Sequence, residues 1–195
     1  MKLSVKEFDD MQMGWRKWYI EKVELKTFGK FGLVIKDADI LEVGCGNGYA
    51  ASLIAAQKPR SYTGLDIMPE QLEIARDRRL QNASFVNGSA DDLSRFPEKS
   101  FDAVLDFCIL HHVEGWRRFF DECHRVLRDD GSIYIADLSK RCIHIVDAIL
   151  HWGHAEEALF SLQEFEEEAN RRGFKTVRKA NDLGLEGYFR FQKEK

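Results

Sequence analysis

The stretch Leu41-Glu42-Val43-Gly44-Cys45-Gly46-Asn47-Gly48 decides the fold. It joins a short apolar strand pattern to a glycine loop, and a helix pattern follows over residues 50–57. Glycine allows the backbone to turn sharply and to approach a ligand closely. Asp66 ends the next strand pattern, 20 positions after Gly46, where an acid can accept hydrogen bonds from both hydroxyls of a ribose. Together these features predict a site for a cofactor that contains a nucleoside.

The glycine spacing narrows the choice of cofactor. A dinucleotide site needs G-x-G-x-x-G, whereas this loop reads G-x-G-x-G and has Tyr49 at the last position of that pattern. A P-loop is excluded because no Lys-Ser/Thr pair follows the glycines. Glu42 beside the loop would repel a pyrophosphate but attract a cation. The sequence therefore favours a nucleoside that carries a positive charge and an amino acid.

Strand and helix patterns alternate on both sides of this loop, which predicts an α/β fold with a mostly parallel sheet and helices on both faces. One helix pattern carries an apolar stripe from Trp116 to Leu127, and Asp129-Asp130-Gly131 is expected to end it. A capping box at Ser161 and Glu164 opens another helix. The last two strand patterns are separated only by 181–186, so the final strand should be antiparallel. The predicted strands are 40–43, 62–66, 84–86, 101–107, 132–138, 174–180 and 187–192.

Composition excludes several classes of protein. The chain has 195 residues, 44% of them hydrophobic, and a net charge of −4 from 29 basic and 33 acidic residues. That size fits one domain, and the acidic balance argues against a nucleic-acid partner. Apolar runs are too short for a membrane span, and the first residues lack a secretory signal. The four cysteines form no CxxC pair, so no metal site is predicted, and reduced thiols suggest a cytoplasmic protein.

The glycine stretch closely resembles motif I of the class I S-adenosylmethionine-dependent methyltransferases. The resemblance covers most of the chain and is greatest to the type 11 branch, which includes ubiquinone- and menaquinone-biosynthesis enzymes. It implies a Rossmann-like, doubly wound, seven-stranded sheet of order 3-2-1-4-5-7-6 and an SN2 transfer of a methyl group from S-adenosylmethionine. The other stretches that carry it are Tyr62–Ile67, Asn87–Leu93, Phe101–Val113 and Arg125–Gly131.

The resemblance also implies roles for individual residues. Asp66 should bind the ribose, Ile67 should pack on the adenine, and Asp106 should face the methionine part or the substrate entrance. Ser89 stands where the family usually has aspartate, so Asp91 could take over the contact with the adenine edge. The full set expected to bind the cofactor is Glu42, Gly44, Cys45, Gly46, Asp66, Ile67, Ser89, Ala90, Asp91 and Asp106.

The acceptor is less well defined, and two segments outside the motifs are candidates to cover it. Trp15, Trp18 and Tyr19 form either an aromatic lid or the core contact of an N-terminal helix. The apolar stretch 143–152 either admits the acceptor or covers the sheet end. His111 and His112 are candidates for a general base, or for packing at a helix entry.

We expect a small-molecule acceptor of apolar or aromatic character. An RNA or protein methyltransferase and a non-catalytic cofactor-binding domain stay open as alternatives. The expected organisation is one methyltransferase domain with a helical cap over 1–37, a cofactor-binding core over 38–138, a substrate cover over 139–160, and a final helix and hairpin over 161–195.

Overall fold

The structure is a computed structural model that describes residues 14–151 and 153–194. Its centre is a seven-stranded sheet in the order β3-β2-β1-β4-β5-β7-β6, which confirms the predicted order. The strands are β1 Asp39–Val43, β2 Ser61–Asp66, β3 Ala83–Asn87, β4 Phe101–Phe107, β5 Leu127–Leu138, β6 Phe174–Asp182 and β7 Glu186–Lys193.

Helices precede the sheet and connect most of its strands. They are α1 Gly14–Tyr19, a π-helical turn Ile20–Glu24, α2 Leu25–Lys30, α3 Tyr49–Ala55, α4 Pro69–Asp77, α5 Trp116–Val126, α6 Lys140–Leu150 and α7 Leu162–Arg171. Two short 3-10 helices, Leu110–His112 and Glu156–Ala158, lie in connecting segments. Ser161 caps α7 by accepting a hydrogen bond from the Glu164 amide at 3.1 Å, as the capping-box pattern predicts.

Strand direction follows the prediction. The pairs β1–β2, β1–β4, β2–β3 and β4–β5 are parallel, while β7 is antiparallel to both β5 and β6. Val43 lies opposite Leu65 on one side and Asp106 on the other. The carboxyl ends of β1, β2 and β4 therefore meet at one edge of the sheet, which is the topological switch point where open α/β sheets bind ligands.

Two apolar clusters flank the sheet. Side chains alternate between faces along a strand, so β1 contributes Leu41 and Val43 to one cluster and Ile40 to the other. The predicted stripe on α5 is fully buried in the first cluster, led by Trp116 and Phe120. On the other face, helices α2 and α3 pack against the strands. Both faces of the central strands are therefore dry, which explains their nearly continuous apolar sequences.

The expectation that Asp129-Asp130-Gly131 ends the helix is wrong, because these residues lie within a strand. Helix α5 ends at Val126 and strand β5 begins directly at Leu127, which pairs with Phe101; pairing then resumes at Ser132 opposite Ala103. The residues between form an outward bulge within the strand. Burial of Leu127 in the core fixes the early start, because this side chain cannot be left in a solvent-exposed turn without losing its apolar contacts.

None of the helices in the described part of the chain combines the length and apolar character that crossing a bilayer requires. The division of the chain into a cap, a core, a cover and a final hairpin stays a prediction.

Candidate functional site

A cavity of about 330 Å³ opens at the carboxyl ends of β1, β2 and β4. Its volume lies at the lower end of the range typical of ligand sites. Every residue predicted to bind the cofactor lines it, with the exception of Asp106. The lining residues among those predicted are Glu42, Gly44, Cys45, Gly46, Asp66, Ile67, Ser89, Ala90 and Asp91.

Asp66 ties the glycine loop to the turn after β2. Its Oδ2 accepts a hydrogen bond from the Gly46 amide at 2.8 Å, and its Oδ1 accepts one from the Met68 amide at 2.8 Å. Burial raises the pKa of the Asp66 carboxyl, and these backbone hydrogen bonds oppose that shift. A carboxylate offers about four acceptor positions, so this one can still accept a hydrogen bond from a ligand. That capacity fits a ribose hydroxyl.

Two glycines of the loop serve different purposes. Gly46 has a φ of +50°, and a Cβ there would meet nothing within 4 Å, so its Cα faces the open cavity. Gly44 has a φ of +66°, and a Cβ there would overlap the Ile109 side chain. Gly44 therefore allows the loop to pack against the segment after β4, whereas Gly46 leaves room that a ligand can fill.

Glu42 is a buried acid in the cavity wall. Its exposed fraction is 2%, and the Tyr62 hydroxyl donates a hydrogen bond to it at 2.7 Å. Burial raises the pKa of Glu42 to about 8, while the Tyr62 hydrogen bond lowers it and the charge of Asp66 raises it further. A cation in the cavity would favour the ionised form. The site thus suits the positively charged ligand that the sequence favours.

Ser89 and Asp91 act together at the far side of the cavity. The Ser89 hydroxyl donates a hydrogen bond to the Asp91 carboxylate, and Arg118 holds the same segment through the Asp91 carbonyl oxygen at 3.0 Å. Ile67 is 43% exposed and lines the cavity between this segment and Asp66. Ser89, which stands where the family usually has aspartate, is therefore hydrogen-bonded to the carboxylate of Asp91, two positions later.

Asp106 does not line the cavity, which corrects its expected place at the methionine part or the substrate entrance. It is completely buried, and its Oδ1 accepts a hydrogen bond from the Ile109 amide at 3.0 Å. Burial and the nearby Asp137 raise the pKa of Asp106 well above its usual value. Its role here is to shape the turn after β4 that carries Ile109 and the histidines.

The two candidate bases occupy different positions. His112 lines the cavity, whereas His111 lies behind it and its Nδ1 is 2.5 Å from Asp137 Oδ1. Burial, with smaller contributions from the neighbouring histidines, lowers the pKa of His112. His112 is therefore a neutral imidazole, suited to hydrogen bonding or ligation, and a weak base. Of the pair, only His112 can contact a molecule in the cavity.

The aromatic residues of the N-terminal helix do not enclose the site. Trp15 and Trp18 are 55% and 58% exposed and do not line the cavity. The Tyr19 hydroxyl contacts Glu186 and lies 2.8 Å from the Tyr188 hydroxyl. The helix turns its other face inward, because positions 16 and 20 are one turn apart and lie together. The described structure therefore does not contain the predicted aromatic lid over this cavity. Instead, Arg16, Lys17 and Ile20 on the inward side of the helix form part of the cavity wall.

Arg16 is a functional candidate that sequence reasoning missed. It is 4% exposed, donates a hydrogen bond to Glu24 at 2.6 Å, and donates another to the Phe107 carbonyl oxygen at 3.0 Å. It thereby attaches the N-terminal helix to the end of β4. The eight-residue spacing to Glu24, two helical turns on one face, is the signal that could have revealed the pair.

The segment after β5 contributes nothing to the cavity wall among its described residues, 139–151 and 153–160. Ile143 is buried, but Ile145 and Ile149 are 47% and 69% exposed. Trp152, part of the expected cover, lies outside the described residues. The structure favours the alternative in which α6 covers the sheet end.

The cavity lies at the switch point of a Rossmann-like sheet, and comparisons with known proteins show which family the chain resembles. The family profile described as "Methyltransferase domain" matches residues 41–135. Over these residues, just under half of its length, the chain is similar to that methyltransferase family, in the region where the motifs lie.

Two curated relatives and one solved structure illustrate these similarities. A phthiotriol/phenolphthiotriol dimycocerosates methyltransferase of Mycobacterium leprae is 43% identical over 51% of this chain and 37% of its own length. A fatty-acid O-methyltransferase of Mycolicibacterium smegmatis is 40% identical over 52% of this chain and 38% of its own length. This chain thus matches less than two fifths of either relative.

The solved structure is an S-adenosylmethionine-dependent methyltransferase from Aquifex aeolicus. It has a TM-score of 0.77 and 15% identity, and the similarity covers 98% of this chain and 100% of the other. At that identity the likeness supports the fold alone.

Proposed function

We propose that this chain binds S-adenosylmethionine in the cavity and transfers its methyl group to a small, lipid-like acceptor. The observation that carries the proposal is the Asp66 carboxylate, which bridges the Gly46 and Met68 amides at the cavity wall and keeps acceptor capacity for a ribose. The reaction is proposed for the cytoplasm, consistent with four cysteines that are all free thiols.

The cofactor residues divide the cavity by chemistry. Asp66 accepts hydrogen bonds from the ribose, and Ile67 packs on the adenine, whose edge meets the Ser89–Asp91 segment. Gly44 and Gly46 border the methionine moiety. Glu42, buried nearby, compensates positive charge there, and this contribution grows when the carboxyl is ionised.

The acceptor enters between the N-terminal helix and the segment after β4. Ile20, Ile109 and Val113 give this part of the wall an apolar character, while Lys17 and His112 add polar groups. An apolar molecule with a hydroxyl or carboxyl oxygen at its reactive end fits this mixture. The names of the two curated relatives describe acceptors of that kind.

S-adenosylmethionine supplies an electrophilic methyl group on a positively charged sulfur, with S-adenosylhomocysteine as the product. The chain's contribution is alignment: orientation alone can supply about 7–11 kcal/mol in well-matched cases. Arg16 contributes indirectly, because its bonds to Glu24 and the Phe107 carbonyl oxygen hold the N-terminal helix against β4. His112, a neutral imidazole, can hydrogen-bond the acceptor's oxygen and orient it.

The decisive experiment uses methyl-labelled S-adenosylmethionine with three sets of acceptors: fatty acids and hydroxylated lipids, RNA, and a protein mixture. We expect label only in the lipid set, and less of it with Asp66→Ala when the S-adenosylmethionine concentration is kept near the parent's Kd. Label in RNA or protein would support those alternatives and contradict this proposal. Binding of S-adenosylhomocysteine without transfer to any acceptor would instead identify a non-catalytic binding domain.

A further inference from the structure

Three imidazoles from two separate segments converge beside the cavity. His111 and His112 lie in the 3-10 helix after β4, and His154 lies in the segment after α6. The ring centroids are 4.0 Å apart for His111 and His112, 4.8 Å for His112 and His154, and 5.4 Å for His111 and His154. One ligand nitrogen from each ring lies within 4.8 Å of the other two.

Two of these rings have a carboxylate on their Nδ1 atom. His111 Nδ1 is 2.5 Å from Asp137 Oδ1, and His154 Nδ1 is 2.7 Å from Asp147 Oδ1. Metal-ligating histidines almost always have such a partner on their second nitrogen, which fixes the tautomer and orients the ring. The arrangement makes Nε2 the ligating nitrogen of both rings.

Asp147 also organises the loop that presents His154. Beyond the ring, it accepts hydrogen bonds from the Gly153 amide at 3.2 Å and the His154 amide at 3.1 Å. Three bonds from one carboxylate hold the loop so that the His154 side chain is only 1% exposed. This is more support than a solvent-facing histidine needs.

We propose that His111, His112 and His154 form a binding site for one divalent transition-metal ion of the zinc type. Three imidazoles are a known ligand set for Zn²⁺, which leaves a fourth position for water or substrate. Zinc–nitrogen bonds of 2.0–2.1 Å place tetrahedral ligands about 3.3 Å apart, so ligand nitrogens within 4.8 Å of one another must approach by at most roughly 1.5 Å. The carboxylates of Asp137 and Asp147 balance the two positive charges of the ion.

The site adjoins the acceptor region because His112 belongs to both. An ion with an open fourth position binds an oxygen or sulfur of a ligand and favours its deprotonated form. This step rests on the proposed function: the acceptor's hydroxyl or carboxyl oxygen would occupy that position, and the ion would bind it as the anion, with the proton released to solvent. Metal binding itself does not depend on that step.

Two other arrangements could capture a metal ion and need controls. His144 pairs with Glu156 at 2.8 Å on the exposed surface, which is a typical place for adventitious binding. Cys108, His111 and Asp137 also lie within reach of one ion. A thiolate ligand would give a sulfur-to-metal charge-transfer band, which three imidazoles cannot give.

The test is a titration of the metal-free full chain with Co²⁺, followed by absorption and competition with Zn²⁺. We expect saturation at about one equivalent, tetrahedral d–d bands and no thiolate band. His154→Asn and His112→Asn should abolish saturable binding, and Asp147→Asn should weaken it about 10–100-fold. His144→Asn is the matched control and should bind as the parent does.

Three outcomes would overturn the site. They are no saturable binding by the parent chain, undiminished binding by His154→Asn, or loss of binding in His144→Asn. A thiolate band would assign the ion to Cys108 instead and would equally contradict the proposal. Circular dichroism checks that each variant folds. S-adenosylhomocysteine titration of the metal-free parent separates failure of the metal site from failure of the methyltransferase proposal, since cofactor binding does not require the ion.

Discussion

The Asp66 carboxylate accepts a hydrogen bond from the backbone amide of Gly46 at 2.8 Å. The two residues end or follow neighbouring parallel strands, so this bond joins the glycine loop to the carboxyl end of β2. The acid predicted to bind a ribose therefore also holds the glycine loop, which we propose borders the rest of the cofactor. In that proposal, cofactor binding and preorganisation of the site depend on the same side chain.

Asp66→Ala should weaken binding of S-adenosylhomocysteine by about 1–3 kcal/mol, because hydrogen bonds between a carboxylate and the ribose hydroxyls disappear. That is roughly a 5- to 150-fold higher Kd at 25 °C, measured by isothermal titration calorimetry. Asp77→Ala, in an exposed position on α4, is the matched control and should bind normally. Equal affinity of a folded Asp66→Ala protein would contradict the assigned ribose contact.

Gly44→Ala and Gly46→Ala should separate folding from binding. A methyl group at Gly44 overlaps Ile109, so we expect a loss of about 1–3 kcal/mol in the free energy of unfolding from overpacking, in addition to the strain of a positive φ. At Gly46 the methyl group enters the cavity, and only the strain of about 1–2 kcal/mol applies. Denaturant unfolding and S-adenosylhomocysteine affinity should rank the two variants in opposite orders. The same order in both assays would refute this division.

The core of the site was predictable because its residues follow one another at fixed distances from strand ends. Once the strand order is known, Gly46 and Asp66 are expected to lie close together, because they follow or end neighbouring parallel strands. Arg16 in the cavity wall and His154 in the histidine cluster beside it were not predictable in this way, because each comes from a segment outside the motifs. Their contacts depend on how α1 and the loop after α6 pack, which no local spacing encodes.

The bulge in β5 shows a different limit. Asp129-Asp130-Gly131 has the composition of a turn, and local propensity favours one there. Burial of Leu127 and its pairing with Phe101 override that preference. Likewise, residue type favours Trp15 and Trp18 for a lid, but the helix packs with Arg16 and Ile20 towards the cavity instead.

The buried Arg16–Glu24 ion pair should be essential only as a pair. Arg16→Met leaves Glu24 buried without its cation, and breaking a buried pair costs about 3–5 kcal/mol. Replacing both, with Arg16→Met and Glu24→Leu, should recover most of that loss, since apolar side chains of similar size often substitute well for such pairs. Unfolding by urea measures all three proteins. If the double variant is no more stable than Arg16→Met, the bond to the Phe107 carbonyl oxygen dominates instead.

Glu42 should make both stability and cofactor binding depend on pH. Burial raises the pKa of this carboxyl to about 8 in the folded chain, against about 4.3 for an unperturbed Glu. Between these values the folded state holds a proton that the unfolded state has released. The Glu42 contribution to stability is therefore fully present below about pH 4 and is lost as pH rises toward 8.

Glu42→Gln keeps an oxygen that can accept the Tyr62 hydrogen bond but cannot ionise. Without cofactor, the variant should gain stability relative to the parent as pH rises from 5 to 8, with about 4 kcal/mol as the upper bound of that gain. Cofactor binding should favour the parent over Glu42→Gln, because the ionised carboxyl of the parent attracts the ligand's positive charge. Affinity of the parent for S-adenosylmethionine should thus increase toward pH 8, whereas the affinity of Glu42→Gln should depend less on pH.

Calorimetry in two buffers of different ionisation enthalpy measures the protons released when the cofactor binds. It should detect proton release near pH 7 in the parent only. Parallel pH profiles for the two proteins would show that Glu42 does not titrate in the cavity.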